Sequence, residues 1–182
     1  PSPALYPSDP WKRAKVKELI RVVELYLDAP ARNHVPNVYF GAPVDAALGE
    51  RVLPEIDKGV RALKRFARFE PFIAGSEFTF ADIAAYFQLR FTNLMTVTIY
   101  NRDLTAEVPG LADYLATRVI EVAVHSLDLA NALGLETKPS DEMLRFVLRL
   151  LADLALDSDC GGEMALIATG RIPATGYFSV FG

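Results

Sequence analysis

Apolar residues recur at intervals of three and four in several separate stretches of the chain, and this spacing constrains its fold more than any other feature. Residues at that spacing line one face of an α-helix, whereas a half-buried strand needs strict alternation. The sequence shows no alternation of strands and helices, no internal repeat and no low-complexity tract. It therefore predicts an all-α fold, a bundle of about five to six helices with an irregular C-terminal tail.

Capping residues, prolines and glycines set the limits of the predicted helices. We expect helices over about residues 10–29, 44–68, 80–94, 111–133, 141–156 and 163–169. Residues 30–43, which hold three prolines and a glycine, are predicted to form a loop. The stretch TVTIYNRDLTAEVPG, residues 96–110, either extends the preceding helix or ends it.

Length, charge and cysteine content exclude several classes of protein. The 182 residues suffice for one domain of ordinary size or two small ones. A net charge of −4 with interspersed basic residues argues against a nucleic-acid partner. No apolar run reaches the roughly 18 residues of a membrane span, and no signal peptide is visible. The single cysteine suits a reducing compartment, so we predict a cytoplasmic protein with no membrane partner.

A glycine turn followed by an aromatic-Thr-x-x-Asp helix start occurs in FIAGSEFTFADIAAY, residues 72–86. It resembles the C-terminal helical domain of soluble glutathione S-transferases. LYPSDPWKRAKVKELI, LPEIDKGVRALKRFARFEPFIAG and YNRDLTAEVPGL resemble further parts of that domain in the same order. The resemblance covers about residues 1–112 and predicts one domain there.

The resemblance implies that two domains supply different parts of the active site. The helical domain of these transferases supplies an apolar wall for a hydrophobic electrophile and part of a homodimer surface. Glutathione and the catalytic Ser, Tyr or Cys belong to a preceding thioredoxin-like domain, and this sequence has no β-α-β pattern. We therefore expect an incomplete catalytic site. Thr79 and Asp82 are predicted to cap a helix and not to act in catalysis.

Four polar residues interrupt the apolar stretch RVIEVAVHSLDLANALG, residues 118–134. Arg118, Glu121, His125 and Asp128 follow at steps of three, four and three, so a helix places them on one stripe. Spacing alone favours an ion-paired surface, with Arg118 beside Glu121 and His125 beside Asp128.

The same stretch extended to DYLATRVIEVAVHSLDLANALG, together with ALIATGRIPATGYFSVF, resembles the mycothiol-dependent maleylpyruvate isomerases, a DinB-like metalloenzyme family. This resemblance covers about residues 113–182. It implies that Glu121 and His125 are two ligands of a zinc-like ion and that Arg118 or Asp128 positions them. The family's third ligand is a histidine on an earlier helix that this chain lacks. The other histidine here, His34, lies in no related motif, so the third ligand is unidentified.

Three functions follow from these observations. The first is a glutathione S-transferase-like helical domain without a complete catalytic site. The second is a metal-dependent, mycothiol-type isomerase that uses Glu121 and His125 and recruits its third ligand from His34 or a neighbouring subunit. The third is a chimeric or designed bundle without activity. No cofactor is certain, and zinc and a low-molecular-weight thiol, glutathione or mycothiol, are implied by resemblance alone. Because the chain begins at Pro1 and the resemblances meet near residues 109–115, we expect a fragment, a fusion or an engineered piece.

Overall fold

The computed structural model describes residues 5–174 and 178–179. It contains helices α1 (Pro10–Val23), α2 (Ala29–Ala31), α3 (Val35–Phe40), α4 (Ala46–Phe66), α5 (Phe80–Tyr100), α6 (Leu104–Glu107), α7 (Leu111–Ala132), α8 (Asp141–Asp157) and α9 (Gly161–Ala168). The described residues form no β-strand, only one isolated bridge between Phe72 and Gly75. The predicted all-α fold is therefore confirmed. Of the predicted irregular tail, residues 171–174 are non-helical, and most of the remainder lies outside the described residues.

The chain divides into a first compact unit, Pro1–Arg118, and a second, Val119–Gly182. In the first unit α1, α4 and α5 pack around buried side chains that include Leu19, Val23, Leu27, Ile56, Leu63, Leu89 and Met95. In the second unit a small cluster of Ile120, Ala123 and Val147 joins α7 and α8. The family boundary predicted between residues 112 and 113 stays a prediction.

The loop predicted over residues 30–43 is wrong, because most of this segment is helical. A π-helical turn, Glu24–Asp28, follows α1 directly and leads through α2 and a 3₁₀ turn, Arg32–His34, into α3. Pro36 occupies the first turn of α3, where a missing backbone N–H leaves no helical hydrogen bond unmade, whereas Pro30 follows the π-helical turn inside a continuous helical path. The helical path ends at Gly41, whose φ of 67° is left-handed.

The π-helical turn packs closely against α4 at Gly59. A Cβ atom on Gly59 would lie 2.5 Å from the backbone oxygen of Tyr26 and 2.6 Å from Leu27 Cδ2. Real side chains do not approach backbone so closely, so only glycine allows this crossing. The contact fixes the spacing between α4 and the chain that follows α1.

α5 continues beyond the predicted end and stops at Asn101, which adopts a left-handed conformation.

Arg102, the residue after this stop, binds two carboxylates. Its Nε donates to Glu107 at 2.5 Å, and its Nη1 donates to Asp57 of α4 at 2.6 Å. The hydrogen bond from Arg102 lowers the pKa of Glu107. This network ties the end of α5 to α4 and α6.

The predicted cap of α5 is confirmed. The buried carboxylate of Asp82 accepts hydrogen bonds from the backbone N–H of Thr79 at 2.8 Å and of Ile73 at 2.9 Å. Thr79 Oγ1 accepts from the N–H of Ala81 at 3.3 Å. Asp82 therefore caps the helix and also anchors the preceding loop, a second role that the capping pattern does not predict.

We expect Asp82→Ala to lower the free energy of unfolding by about 2–4 kcal/mol, because a cap is lost and buried amides are left unpaired. Asp45→Ala is the control, since Asp45 caps α4 from an exposed position and bonds only Ala47 N–H. It should cost about 1 kcal/mol. Urea unfolding followed by circular dichroism measures both, and equal losses would contradict the buried anchoring role.

The Arg102–Glu107 contact predicts a dependence on pH. Because the folded pKa of Glu107 lies below its ordinary value of about 4.5, its stabilisation is present above that pH and is lost as the pH falls through the folded pKa. Glu107→Gln should destabilise the protein at about pH 7 and have a smaller effect near pH 3, where protonation has begun to weaken the ion pair. Urea titrations at the two pH values test this. An exposed control, Glu50→Gln, should change neither, and a pH-independent effect of Glu107→Gln would contradict the ion pair.

Candidate functional site

Three members of the predicted polar stripe lie on the exposed face of α7. His125 is the most exposed, with 72% of its side-chain surface accessible. Its Nε2 lies 3.3 Å from Glu121 Oε2, and its Nδ1 lies 3.3 Å from Asp128 Oδ2. The predicted pairing of His125 with Asp128 is confirmed, and Glu121 joins the imidazole from the other side.

Arg118, the first member of the predicted stripe, is buried, with 8% of its surface exposed. Its guanidinium carbon lies 4.9 Å from the ring centre of Phe72 and 5.8 Å from that of Tyr114. Arginine favours such contacts because its planar cation is attracted to aromatic faces. The interpretation of Arg118 as an exposed ion-pairing residue is therefore wrong, because helical spacing does not show what covers each residue.

The predicted metal ligands Glu121 and His125 are brought together, and among the described residues no third ligand accompanies them. In the part of the chain that the structure describes, no group of three or more His, Cys, Asp or Glu side chains is arranged to hold a metal ion. Zinc sites in proteins use three or four protein ligands. The zinc site at Glu121 and His125 stays a prediction.

His34 has a structural environment of its own. It is fully buried, and its Nε2 lies 2.6 Å from the hydroxyl of Tyr100 at the end of α5. Its Nδ1 lies 3.3 Å from Asn37 Oδ1, and the amide of Asn37 donates to the backbone oxygens of Ala42 and Pro43.

The direction of these hydrogen bonds can be assigned. The amide nitrogen of Asn37 donates to Ala42 and Pro43, so its Oδ1 is the atom that faces His34 and accepts from Nδ1–H. This leaves Nε2 of the neutral imidazole to accept from the Tyr100 hydroxyl. Both ring nitrogens are thus engaged, and a metal ion at Nε2 would have to displace Tyr100.

Tyr100→Phe should lower the free energy of unfolding by about 1–3 kcal/mol, because it leaves a buried imidazole nitrogen without its donor. Tyr39→Phe removes an exposed hydroxyl from α3 and should change stability by less than about 0.5 kcal/mol. Chemical unfolding of the two variants and the parent measures the difference. Equal stability of Tyr100→Phe and the parent protein would contradict this account of His34.

The exposed face of α5 is apolar over the length of the helix. Its exposed large apolar residues are Phe80, Ile83, Phe87, Leu94 and Val97. The exposed residue at the middle of the series is Arg90, which donates to Tyr86 Oη at 2.9 Å. We call these five apolar residues the α5 stripe. A helix that is apolar on all sides is normally covered all round, so the stripe indicates a contact surface.

A cleft of about 700 Å³ lies between the start of α1 and the end of α4. Lys15 Nζ lies 4.9 Å from the ring centre of Trp11 and 5.5 Å from that of Phe66. Four cations and three carboxylates line the cleft: Lys12, Lys15, Arg65, Arg68, Glu18, Glu70 and Glu77. Charges of both signs line the cleft, so it does not suit a site for a single ion.

Two comparisons agree with this architecture. Residues 46–117, from α4 to the start of α7, match the family described as glutathione S-transferase, C-terminal domain. A glutathione S-transferase of Pseudomonas putida (strain F1) is 35% identical over 106 residues, which are 58% of this chain and 48% of the relative. The chain thus spans about half the length of this curated relative. The predicted resemblance to the helical domain of these transferases is supported.

These matches do not test the remaining predictions. The family match ends at residue 117, so the resemblance of residues 113–182 to the mycothiol-dependent isomerases stays a prediction.

Among the described residues, no helix is both long enough and apolar enough to cross a membrane.

Proposed function

We propose that this chain is the helical part of a glutathione S-transferase-like thiol transferase. In this role the α5 stripe forms the apolar wall against which a hydrophobic electrophile lies. The observation that carries the proposal is the exposure of the stripe, with 67% of the surface of Phe87 accessible. Covering such side chains releases about 25 cal/mol per Å² of apolar surface, which favours an apolar ligand over a polar one.

The residues of this chain do not complete the thiol site in this proposal. Thiol addition needs a donor that stabilises the thiolate. The pKa values of Tyr100 and Tyr114 are both raised, chiefly by burial, so both hydroxyls are poor acids. Tyr100 already donates to His34, and Tyr114 donates to the backbone oxygen of Asp82 at 3.3 Å. Neither tyrosine is therefore a candidate for activating glutathione, and this proposal assigns that role to a group outside this chain.

A homodimer and a cytoplasmic location belong to the same proposal. The exposed indole of Trp11 at the cleft supports the homodimer, because aromatic side chains are enriched at protein interfaces. The free thiol of Cys160 is compatible with a reducing compartment.

Substitution of Phe87 tests the wall. Phe87→Ser should weaken binding of the apolar dye 8-anilinonaphthalene-1-sulfonate about tenfold, because roughly 1.4 kcal/mol of apolar contact is lost. The control is Leu148→Ser, which removes an equally exposed apolar residue from α8 in the second unit. Fluorescence titration gives both dissociation constants.

Two outcomes would contradict the proposal. Equal weakening by Phe87→Ser and Leu148→Ser would show that the dye does not select the α5 stripe. Turnover of 1-chloro-2,4-dinitrobenzene with glutathione by this chain above the uncatalysed rate would show that the thiol site is complete.

A second candidate function is the metal-dependent, mycothiol-type isomerase. The observation that favours it is the 3.3 Å separation of Glu121 Oε2 and His125 Nε2. Binding of zinc that is lost in Glu121→Gln and His125→Ala would support this candidate. If neither the dye experiment nor zinc binding gives the expected result, the third hypothesis, an inactive helical bundle, is favoured.

A further inference from the structure

A second pocket of about 470 Å³ lies between α1 and the first half of α5. Its α1 side consists of residues that share one helix face, at steps of three and four, and that continue into the π-helical turn: Lys17, Ile20, Arg21 and Glu24. Its α5 side consists of residues spaced four apart: Phe80, Ala84 and Gln88. Small-molecule sites commonly enclose about 300–1,000 Å³, so the pocket is large enough for a small ring compound.

The segment before α1 adds an aromatic ring to this pocket. The backbone oxygen of Leu5 accepts a hydrogen bond from the N–H of Phe80 at 2.9 Å, which ties the segment to the start of α5. The ring of Tyr6 then lies 5.7 Å from the ring of Phe80, with 25° between the two planes. Stacked rings of this kind offer a flat apolar surface to a third ring.

One positive charge at the pocket has no opposite charge beside it. Arg21 Nη1 lies 2.5 Å from Glu24 Oε2, so this pair is neutral as a whole. Lys17 is exposed and forms no ion pair with a described residue, and its Nζ lies 5.8 Å from the ring centre of Tyr6. Because water is partly excluded from a pocket, an unpaired ammonium there attracts an anion more strongly than in bulk solvent.

The opposite end of the pocket is polar as well. Gln88 lies two turns along α5 from Phe80, about 12 Å at 1.5 Å per residue. Its side chain makes no hydrogen bond with a described residue, and its Oε1 is buried. Exchanging the oxygen and nitrogen of the amide would bury an unpaired N–H instead, so the amide lacks a partner whichever way it is assigned. The pocket therefore has an apolar middle, a cation at one end and an amide with unmet hydrogen bonds at the other.

We propose that this pocket binds a small aromatic acid, whose ring lies against Tyr6 and Phe80 and whose carboxylate or sulfonate pairs with Lys17. This inference rests on the proposed transferase function, because Phe80 belongs both to the pocket and to the α5 stripe. It narrows the hydrophobic electrophile to one that carries a negative group. A neutral compound of the same size forgoes the ion pair, so the pocket selects its ligand by charge.

Two dyes that share one ring system test the proposal on the full chain. 8-Anilinonaphthalene-1-sulfonate carries a sulfonate, whereas N-phenyl-1-naphthylamine has none. Lys17→Met should weaken binding of the sulfonate dye about fivefold, between the values for an exposed and a buried charged contact, and change binding of the neutral dye less than about twofold. Lys17→Arg keeps the charge and should retain most of the affinity for the sulfonate dye. Fluorescence titration gives the four dissociation constants.

The control is Lys12→Met, because Lys12 is an exposed lysine of the same helix that lines the other cleft. It should leave binding of both dyes unchanged. Equal weakening of the two dyes by Lys17→Met would show that the pocket does not select charge and would overturn the proposal. So would unchanged binding of the sulfonate dye in Lys17→Met.

The Phe87→Ser variant separates this inference from the transferase wall. A loss confined to the sulfonate dye in Lys17→Met, with no effect of Phe87→Ser, would keep the aromatic-acid pocket and overturn the wall. Weakening by Phe87→Ser with no effect of Lys17→Met would keep the wall and overturn the aromatic-acid pocket. Failure of the parent protein to bind either dye would overturn both.

Discussion

The buried carboxylate of Asp82 is the interaction on which the first unit depends. It accepts hydrogen bonds from the backbone of both Ile73 and Thr79, so one side chain fixes the start of α5 and the loop before it. That loop in turn supplies Phe72, on which Arg118 stacks, and Phe69, which packs 5.1 Å from Tyr114. A Cβ on Gly110 would lie 3.1 Å from Phe69, so the loop also determines where α7 begins.

The exposed surfaces of the two units differ in chemical character. The first unit exposes an apolar helix face and a cleft lined by aromatic rings and by charges of both signs. Among the described residues with a lowered pKa, none is a nucleophile on either surface. The second exposes a carboxylate–imidazole–carboxylate row on α7. The first unit thus offers an apolar contact surface, and the second offers an exposed ion-paired row.

Local patterns predicted most of the fold because their causes are local. Thr79 and Asp82 cap a helix through atoms three residues apart, and Ser140 likewise accepts from Met143 N–H. The loop prediction failed at Pro36 because proline fits well in the first turn of a helix, and at Pro30 because the helical path continues past it from the π-helical turn. Whether a proline ends a helix or lies within a helical path depends on the course of the neighbouring chain.

The sequence by itself determined the helical periodicity, the cap of α5 and the i, i+3 pairing of His125 with Asp128, because each depends on atoms within one turn of helix. Only the tertiary structure decided that Arg118 is covered by Phe72, that His34 is bonded to Tyr100, and that Phe87 is exposed. Those outcomes depend on residues far apart in the chain. Helical periodicity shows which side chains share a face of a helix. Only the packing of the folded chain shows which residues, if any, cover that face.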